Sequence, residues 1–399
     1  MRFAYRTLCA AALVACADAR TPTTSPAVRN PGTGIDSGNT GSPGSLPSDA
    51  RPVPVRLQAL LGDHLTTVSI PPDRFSQASD AVHPDMVCPD GDWQGRARAR
   101  CWLFYTPYKN SDAAYENPAF LAAHDDTTWV TPAQVSNPIV GYPGSGVYNS
   151  DPDHAFDPGT HRLIQIYRVV TDSFNKIMLM STANATGWTT PVLAFRERNH
   201  DAVSPALVIA PDRSARIWYV RSGSDGCSST TTDVVLRTAA PDSNTTFEQV
   251  NWSGPTRVNL SVRGSVVWHL DVAPVDGMGY VALIVAYPVG MTCSNSDLWL
   301  ATSIDGIDWQ TYPVPILWRS MRAASQRGIV TWYRGTLRYD RATDSLHIWP
   351  SALAAPTWSV YHTGAKLHDL LNLLAQAKPS DARRLSLGFA ANLSTIPMP

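Results

Sequence analysis

The strongest constraint on this chain is a repeat of about 60 residues, which is clearest between Tyr148 and Pro191. Two strand-like segments there read R-L-I-Q-I-Y-R and K-I-M-L-M-S-T, and a turn of sequence A-N-A-T-G-W follows them. Apolar alternation on both sides of a polar loop, with a Pro-Gly turn at Pro158-Gly159, predicts an antiparallel meander. A fourth strand over Pro191 to Arg196 completes the unit.

The turn recurs along the chain and ends each time at an aromatic residue. Steps of 59, 59, 62 and 49 residues separate Trp129, Trp188, Phe247, Trp309 and, more loosely, Trp358. A four-stranded sheet cannot bury both faces alone, so such units stack around an axis. Five copies predict an all-β fold, a five-bladed β-propeller of four-stranded antiparallel blades over residues 53–365.

Segments outside the repeats have their own patterns. Val53 to Ile70 is strand-like and is expected to supply the strand that closes the ring. Leucines between Lys366 and Gln376 follow an amphipathic helical pattern, which predicts a short C-terminal helix within a final segment, 366–399.

The N-terminus is typical of an exported protein. Arg2 and Arg6 precede an apolar run that is too short to span a bilayer. At its end, Leu13-Val14-Ala15-Cys16 resembles the lipobox of bacterial lipoproteins, so residues 1–16 are predicted to be a lipoprotein signal with Cys16 lipidated. An ordinary signal peptide with a chance cysteine is the alternative. The chain would then lie in the bacterial cell envelope, at the outer membrane or cell surface.

Composition supports this organisation. Residues 17–52 are rich in Pro, Ser, Thr and Gly and are predicted to be a disordered linker. The formal net charge of −1 gives no electrostatic case for nucleic acid. We expect a monomer that contacts the membrane only through its anchor. Thirteen Trp and 14 Tyr residues suit packing between blades and also a surface that binds sugars.

Four cysteines remain after Cys9 and Cys16 are set aside, an even number that fits an oxidising compartment. Cys88 and Cys101 bracket a hairpin loop, whereas Cys227 and Cys293 fall in the same loop of successive blades. We predict these two disulfides. Metal binding is the competing idea, but the C-x-x-C spacing of zinc sites is missing.

Polar residues mark the starts of the innermost strands, which converge on the axis of a propeller. Steps of 66, 53, 67 and 63 residues separate Asp85, Asp151, Ser204, Asp271 and Arg334, which predicts equivalent positions. The neighbouring residues expected to bind substrate are His83, Tyr115, Asn117, His154, Arg168, Ser204, Arg221, Trp268, His269 and Arg334.

Several carboxylates facing one pocket are most simply explained by glycoside hydrolysis, in which one acid protonates the leaving oxygen and another activates water or attacks carbon. The candidate catalytic residues are Asp85, Glu116, Asp151, Asp153 and Asp271. These acids could instead pair with Arg168, Arg221 and Arg334, and Asp157 beside the Pro-Gly turn is expected to belong to that turn. The three arginines could also bind a carboxylated sugar.

The period, the S-x-D-G-x-x-W turn at Ser303 to Trp309 and the acids at inner-strand starts resemble the five-bladed propellers of glycoside hydrolase families 43, 32 and 117. The turn is also similar to the Asp-box of sialidases. By this resemblance, Asp85 matches the first-blade base or nucleophile, and Asp151 or Asp153 the second-blade aspartate. Family 43 places a glutamate in the third blade, where this chain has Ser204-Pro205, so Glu116, Asp271 or His269 would have to supply the proton.

The sequence therefore predicts an exported glycosidase-like propeller acting on a poly- or oligosaccharide. A non-catalytic glycan-binding lipoprotein is the rival interpretation, and an adaptor that binds protein is a third. We expect no cofactor and no metal ligands, with one alternative left open, a calcium ion on the axis near His269.

Overall fold

The computed structural model describes residues 51–73, 75–89, 93–97, 99–123, 129–131 and 137–381. The signal with Cys16 and nearly all of the linker predicted over 17–52 lie outside the described residues. Within these ranges, none of the helices has the length and hydropathy needed to cross a membrane.

The described part of the chain is built mainly from short strands. They are β1 (Thr66–Thr67), β2 (Ala81–Val87), β3 (Cys101–Pro107), β4 (Ala119–Ala123), β5 (Tyr148–Asp157), β6 (Arg162–Val170), β7 (Phe174–Thr182), β8 (Val192–Arg198), β9 (Val203–Ile209), β10 (Ala215–Arg221), β11 (Asp233–Ala239), β12 (Thr256–Arg257), β13 (Ser265–Val275), β14 (Gly279–Pro288), β15 (Asp297–Ser303), β16 (Gln310–Thr311), β17 (Ile329–Asp340), β18 (Ser345–Ala354) and β19 (Thr357–Lys366). The α-helices are α1 (Val53–Leu60), α2 (Arg322–Gln326) and α3 (Leu367–Ala375). Short 3-10 helices lie at Gly62–His64, Gln94–Ala97, Lys109–Ser111, Ala113–Tyr115, Gly226–Ser228, Phe247–Gln249 and Cys293–Asn295.

The strands form antiparallel sheets arranged as a β-propeller, as the repeat predicts. Four sheets have four strands each, in the orders β5-β6-β7-β8, β9-β10-β11-β12, β13-β14-β15-β16 and β17-β18-β19-β1. A further sheet, β2-β3-β4, has three strands within the described ranges. The innermost strands β2, β5, β9, β13 and β17 contact one another around the axis.

The core lies between the sheets. Each buried apolar cluster joins neighbouring sheets, and one of them joins β18 and β19 to β2 and β3, which closes the ring. Large rings such as Trp102, Trp218 and Trp332 are fully buried there. Most aromatic residues therefore serve packing, because each sheet must bury both of its faces.

The closing segment is only partly as predicted. Strand β1 pairs with β19, Thr66 opposite His362, and is the outer strand of the last sheet. Val53–Leu60, however, is a helix rather than a strand, and it buries Val53 and Leu57 against the last two sheets. Helix α3 lies where the leucine pattern predicts it, with Leu367, Leu370, Leu373 and Leu374 buried.

The repeated turns differ in one case from the prediction. Trp188, Phe247 and Trp309 each lie between the third and fourth strands of a sheet. In the turn before Trp309, Asp305 Oδ1 accepts hydrogen bonds from the backbone N–H groups of Ile307 and Asp308. The prediction for Trp358 was wrong because this residue lies within β19, a third strand, and the chain then enters α3 instead of a fourth strand.

Both predicted disulfides are confirmed. Cys88 is bonded to Cys101 and Cys227 to Cys293, with Cα atoms 4.2 and 5.0 Å apart. The second bond ties together the loops after β10 and β14, which belong to neighbouring sheets.

Candidate functional site

Bulges near the starts of the innermost strands set which side chains meet on the axis. In each of β2, β5 and β9, a bulge places two residues opposite a single residue of the neighbouring strand. Register shifts also occur in β13 and β17. By this register His83, Asp151 and Ser204 are equivalent, and all three have a left-handed backbone, with φ between 49° and 53°.

The predicted equivalence therefore holds for Asp151 and Ser204 but is wrong for Asp85. Asp85 is aligned with Asp153, two residues beyond the level of Asp151. Spacing along the chain could not reveal this difference, because each blade has loops of different length and each inner strand carries its own bulge.

Two histidines and one aspartate bring their side chains together at this level. One nitrogen each from His83 and His269 and one carboxylate oxygen of Asp151 all lie within 4.8 Å of one another. His83 Nε2 is 3.1 Å from Asp151 Oδ1, and His269 Nδ1 is 4.0 Å from the same oxygen. All three side chains are buried.

These atoms have no hydrogen-bond partner among the described residues. His83 Nε2, Asp151 Oδ1 and both ring nitrogens of His269 are buried without a bond of acceptable geometry. Buried polar atoms are nearly always hydrogen-bonded, and leaving one unpaired costs about 1 to 3 kcal/mol. Several such atoms facing one point are the donor arrangement that a bound cation requires.

Asp151 and His83 also have partners on their opposite sides. Asp151 Oδ2 accepts a hydrogen bond from the Ser204 backbone N–H at 3.1 Å and lies 3.0 Å from Arg168 Nε. His83 Nδ1 lies 3.2 Å from Glu116 Oε2 and 3.0 Å from Thr106 Oγ1. Metal-binding histidines commonly use their second nitrogen on a carboxylate in this way, which fixes the ring orientation.

Burial and nearby charges set the protonation of this cluster. Burial lowers the pKa of His269 well below its usual value, so its ring is neutral. Burial alone would raise the pKa of Asp151, but Arg168, His83 and His269 together hold it below its usual range. Burial raises the pKa of Glu116, although the contact with His83 acts in the opposite direction. A neutral imidazole and an ionised carboxylate are the forms that bind a metal.

Tyrosine rings lie beside the cluster, and Tyr333, Tyr108 and Tyr148 were not among the predicted site residues. The ring centroid of Tyr333 lies 4.5 Å from that of His269 and 5.2 Å from that of His83. Burial raises the pKa of Tyr333, and Glu116 and Asp151 add to the effect. Half-buried Tyr108 and Tyr148 also have raised pKa values, first from burial and then from Glu116. Tyr333 directly precedes Arg334 in sequence, which was the available signal.

A second group of carboxylates lies further along the axis. Asp85, Asp153 and Asp271 line a cavity of about 1080 Å³ together with His154 and the later residues of the inner strands. Burial and the charge of Asp85 raise the pKa of Asp271 to about 6. Burial and the charges of Asp85 and Asp271 likewise raise the pKa of Asp153. The carboxylates that line this cavity therefore repel one another.

Each of these acids also has a fixed partner. His154 Nδ1 lies 2.7 Å from Asp85 Oδ2, and the same ring stacks on Phe104. Arg334 donates to Asp153 Oδ2 at 2.7 Å and to the carbonyl oxygens of Pro152 and Pro205. Asp271 Oδ2 accepts from the Leu337 N–H.

Most of the other predicted site residues pack or form hydrogen bonds within the protein. Arg221 is bonded to Glu197 of the outer strand β8, away from the axis. Trp268 packs in the core between two sheets, and Asn117 is buried beside Asn149. Ser204 Oγ donates to the Leu270 carbonyl, whereas Tyr115 lies in the 3-10 helix before Glu116.

Asp157 has the turn role that the sequence predicts. It accepts from the Gly159 N–H and pairs with Arg213 of the next sheet.

Comparison with known proteins agrees with the architecture. A crystal structure of an N-acetylgalactosamine deacetylase from F. plautii, in complex with blood group B trisaccharide, superposes with a TM-score of 0.64 at 20% identity, covering 77% of this chain and 94% of that one. A thermostable family-43 glycoside hydrolase gives a TM-score of 0.50 at 14% identity, covering 72% and 88%. At these identities the likeness shows the propeller fold.

A sequence relative is also found. The A type blood N-acetyl-alpha-D-galactosamine deacetylase of Flavonifractor plautii is 26% identical over 365 residues. The match spans 79% of this chain but only 45% of the relative, so this chain corresponds to about half of that protein's length. No protein family model matches the chain.

Proposed function

We propose that this protein is a metal-dependent hydrolase that removes the acetyl group from an N-acetylated amino sugar of a glycan. The observation that carries the proposal is the meeting of His83 Nε2, Asp151 Oδ1 and His269 Nδ1, buried and without hydrogen bonds, on the propeller axis. The deacetylase relatives from Flavonifractor plautii support the choice of reaction.

The donor set fits zinc or a similar first-row metal. Two imidazoles and one carboxylate are the ligand types of catalytic zinc sites with three protein ligands and a fourth position open. Calcium prefers oxygen ligands, six or more in number, so the calcium alternative fits poorly. When bound, such a metal polarises a carbonyl oxygen and lowers the pKa of a coordinated water.

The surrounding residues have distinct tasks in this proposal. Arg168 and the Ser204 N–H hold one oxygen of Asp151 and aim the other at the cluster. Glu116 holds His83 through Nδ1. Because its pKa is raised, Tyr333 keeps its proton and can donate a hydrogen bond to the substrate beside His269.

The glycosidase predicted from the sequence is the second candidate. It is favoured by Asp271, whose pKa of about 6 suits a general acid near neutral pH. Against it, Asp85 and Asp153 are committed to His154 and Arg334. Because two of the three carboxylates that line this cavity are already paired, deacetylation is the better proposal.

Product analysis separates the two reactions. Purified protein is incubated with methyl N-acetyl-α-D-galactosaminide and with an oligosaccharide that ends in the same sugar. We expect free acetate and an amine, lost on chelation and restored by added zinc. Release of sugar without acetate would support the glycosidase, and no product from either substrate would contradict both enzymatic proposals and support a glycan-binding role.

Two structural proposals accompany the function. We propose that the sheet β2-β3-β4 is a fifth blade, since apolar clusters join it to a neighbouring sheet on each side.

We also propose export with a lipid anchor at Cys16, supported by the lipobox-like sequence and by the two disulfides.

A further inference from the structure

Three aromatic side chains, two exposed and one half-buried (Tyr115), form a small surface cluster, which we call the aromatic rim (Phe75, Tyr115 and Tyr142). The Phe75 ring lies 5.6 Å from that of Tyr115 and 6.0 Å from that of Tyr142, measured between centroids. Phe75 is 42% exposed and Tyr142 45% exposed. A large aromatic surface left open to water is unfavourable unless something covers it.

The aromatic rim is held in place by specific contacts. Asp73 Oδ1 accepts from the N–H groups of Phe75 and Ser76, both at 2.7 Å. Lys109 Nζ donates to the Ser76 carbonyl and lies 5.7 Å from the centroid of the Tyr115 ring. The rings are therefore presented in a fixed arrangement, which lowers the entropy lost when a ligand binds.

The rim is connected directly to the candidate metal centre. Tyr115 precedes Glu116, the partner of His83. The Asn149 N–H donates to the Glu116 carbonyl at 3.2 Å, and Asn149 Nδ2 donates to the carbonyl of Gly141, next to Tyr142. Asn149 in turn lies two residues before Asp151. Tyr115 and Tyr142 are thus each one residue away from a residue, Glu116 or Gly141, whose backbone carbonyl accepts a hydrogen bond from Asn149.

We propose that the aromatic rim is a subsite for a second sugar, the residue next to the N-acetylated sugar held at the centre. A pyranose ring has an apolar face of C–H groups and a polar edge, so it matches flat aromatic rings at the border of a polar pocket. The inference rests on the proposed function, because the position of the first sugar comes from the metal centre. It assigns the enzyme a preference for oligosaccharides over monosaccharides.

The test compares a monosaccharide substrate with an oligosaccharide substrate. Phe75→Ala and Tyr142→Ala are assayed on the methyl glycoside of N-acetylgalactosamine and on an oligosaccharide ending in that sugar. We expect KM for the oligosaccharide to rise about 3- to 10-fold more than KM for the monosaccharide, the range of one lost aromatic contact. The control Ile304→Ala removes an apolar side chain that is 87% exposed in a distant turn and should leave the ratio of the two KM values as it is.

Calorimetric binding of the same two ligands keeps this inference separate from the proposed chemistry. Tighter binding of the oligosaccharide that Phe75→Ala removes supports the subsite even if acetate is never released. Equal effects on both ligands, no effect on either, or no binding of either ligand to the unaltered protein would overturn it. Acetate release without a preference for the oligosaccharide would overturn the subsite alone.

Discussion

His83 and Asp151 occupy the same register position on two neighbouring inner strands, and His83 Nε2 lies 3.1 Å from Asp151 Oδ1. Their shared left-handed backbone turns both side chains to one point, where His269 of a third inner strand joins them. Loss of any of the three should therefore act on the same site.

Metal content tests this arrangement first. Protein with His269→Ala should retain at most about one tenth of the bound metal of the unaltered protein after dialysis, because a three-ligand site loses one donor. Elemental analysis by mass spectrometry measures the metal. His368→Ala, which removes an exposed histidine, is the control and should bind as before. Equal metal in both variants would rule out the site.

Glu116 is expected to act on the metal through His83. Glu116→Ala should weaken metal affinity about 10- to 100-fold, the usual effect of losing the partner of a metal-binding histidine. Competition with a chelator gives the affinity. Glu116→Gln keeps an oxygen acceptor for His83 Nδ1 and should recover part of the loss. If the glutamine variant is as weak as the alanine variant, the positioning role is wrong.

Arg334 should be a structural support of the axis. Arg334→Met leaves Asp153 buried beside Asp85 and Asp271, so the free energy of unfolding should fall by about 3 to 5 kcal/mol. Adding Asp153→Asn should recover part of this, because the unpaired charge is then gone. Urea unfolding measures both. Arg341→Met removes an exposed pair with Asp276 and should cost about 1 kcal/mol or less. Similar losses for the two arginines would contradict the assignment.

Glu197 should make stability depend on pH. Burial works against ionisation, but Arg237, Tyr219 and Arg221 lower its pKa below the ordinary value. The ionised group therefore stabilises the fold above the unfolded pKa of about 4.3, and the contribution is lost as pH falls through the folded pKa.

We expect Glu197→Gln to be less stable than the unaltered protein by about 1 kcal/mol at pH 7, with the gap closing as the pH drops below 4. Urea midpoints at pH 7, 5 and 3.5 measure the gap. Asp225→Asn changes an exposed carboxylate and is the control, which should alter stability little at pH 7. A stability gap for Glu197→Gln that widens as the pH falls would contradict the prediction.

Cys16→Ser should release the protein from membranes, because the lipid on that cysteine is expected to be the attachment. Fractionation of cells that carry the two forms measures this. Membrane association that survives the substitution would remove the lipid-anchor proposal.

The sequence determined the architecture because the information is local. Alternating strands, turns such as Ser303 to Trp309 and a period near 60 residues specify antiparallel sheets that must stack around an axis. The same periodicity predicted the disulfide between Cys227 and Cys293, since equivalent loops of neighbouring sheets lie side by side. Helix α3 was equally predictable from its leucines.

The functional centre was decided by tertiary structure. His83, Asp151 and His269 are far apart in sequence, and they meet only because a bulge in each inner strand sets which side chains face one level of the axis. The number of residues between successive blades instead aligned Asp85 with Asp151. That alignment combined into one site two groups of side chains that lie at different heights along the axis. The partner of each acid depends on those levels. Arg334 reaches Asp153 across the axis, whereas Arg221 in the second strand β10 pairs with Glu197 of the outer strand β8. Alternating patterns report which face of a strand is buried, whereas the register between strands depends on contacts that no single segment contains.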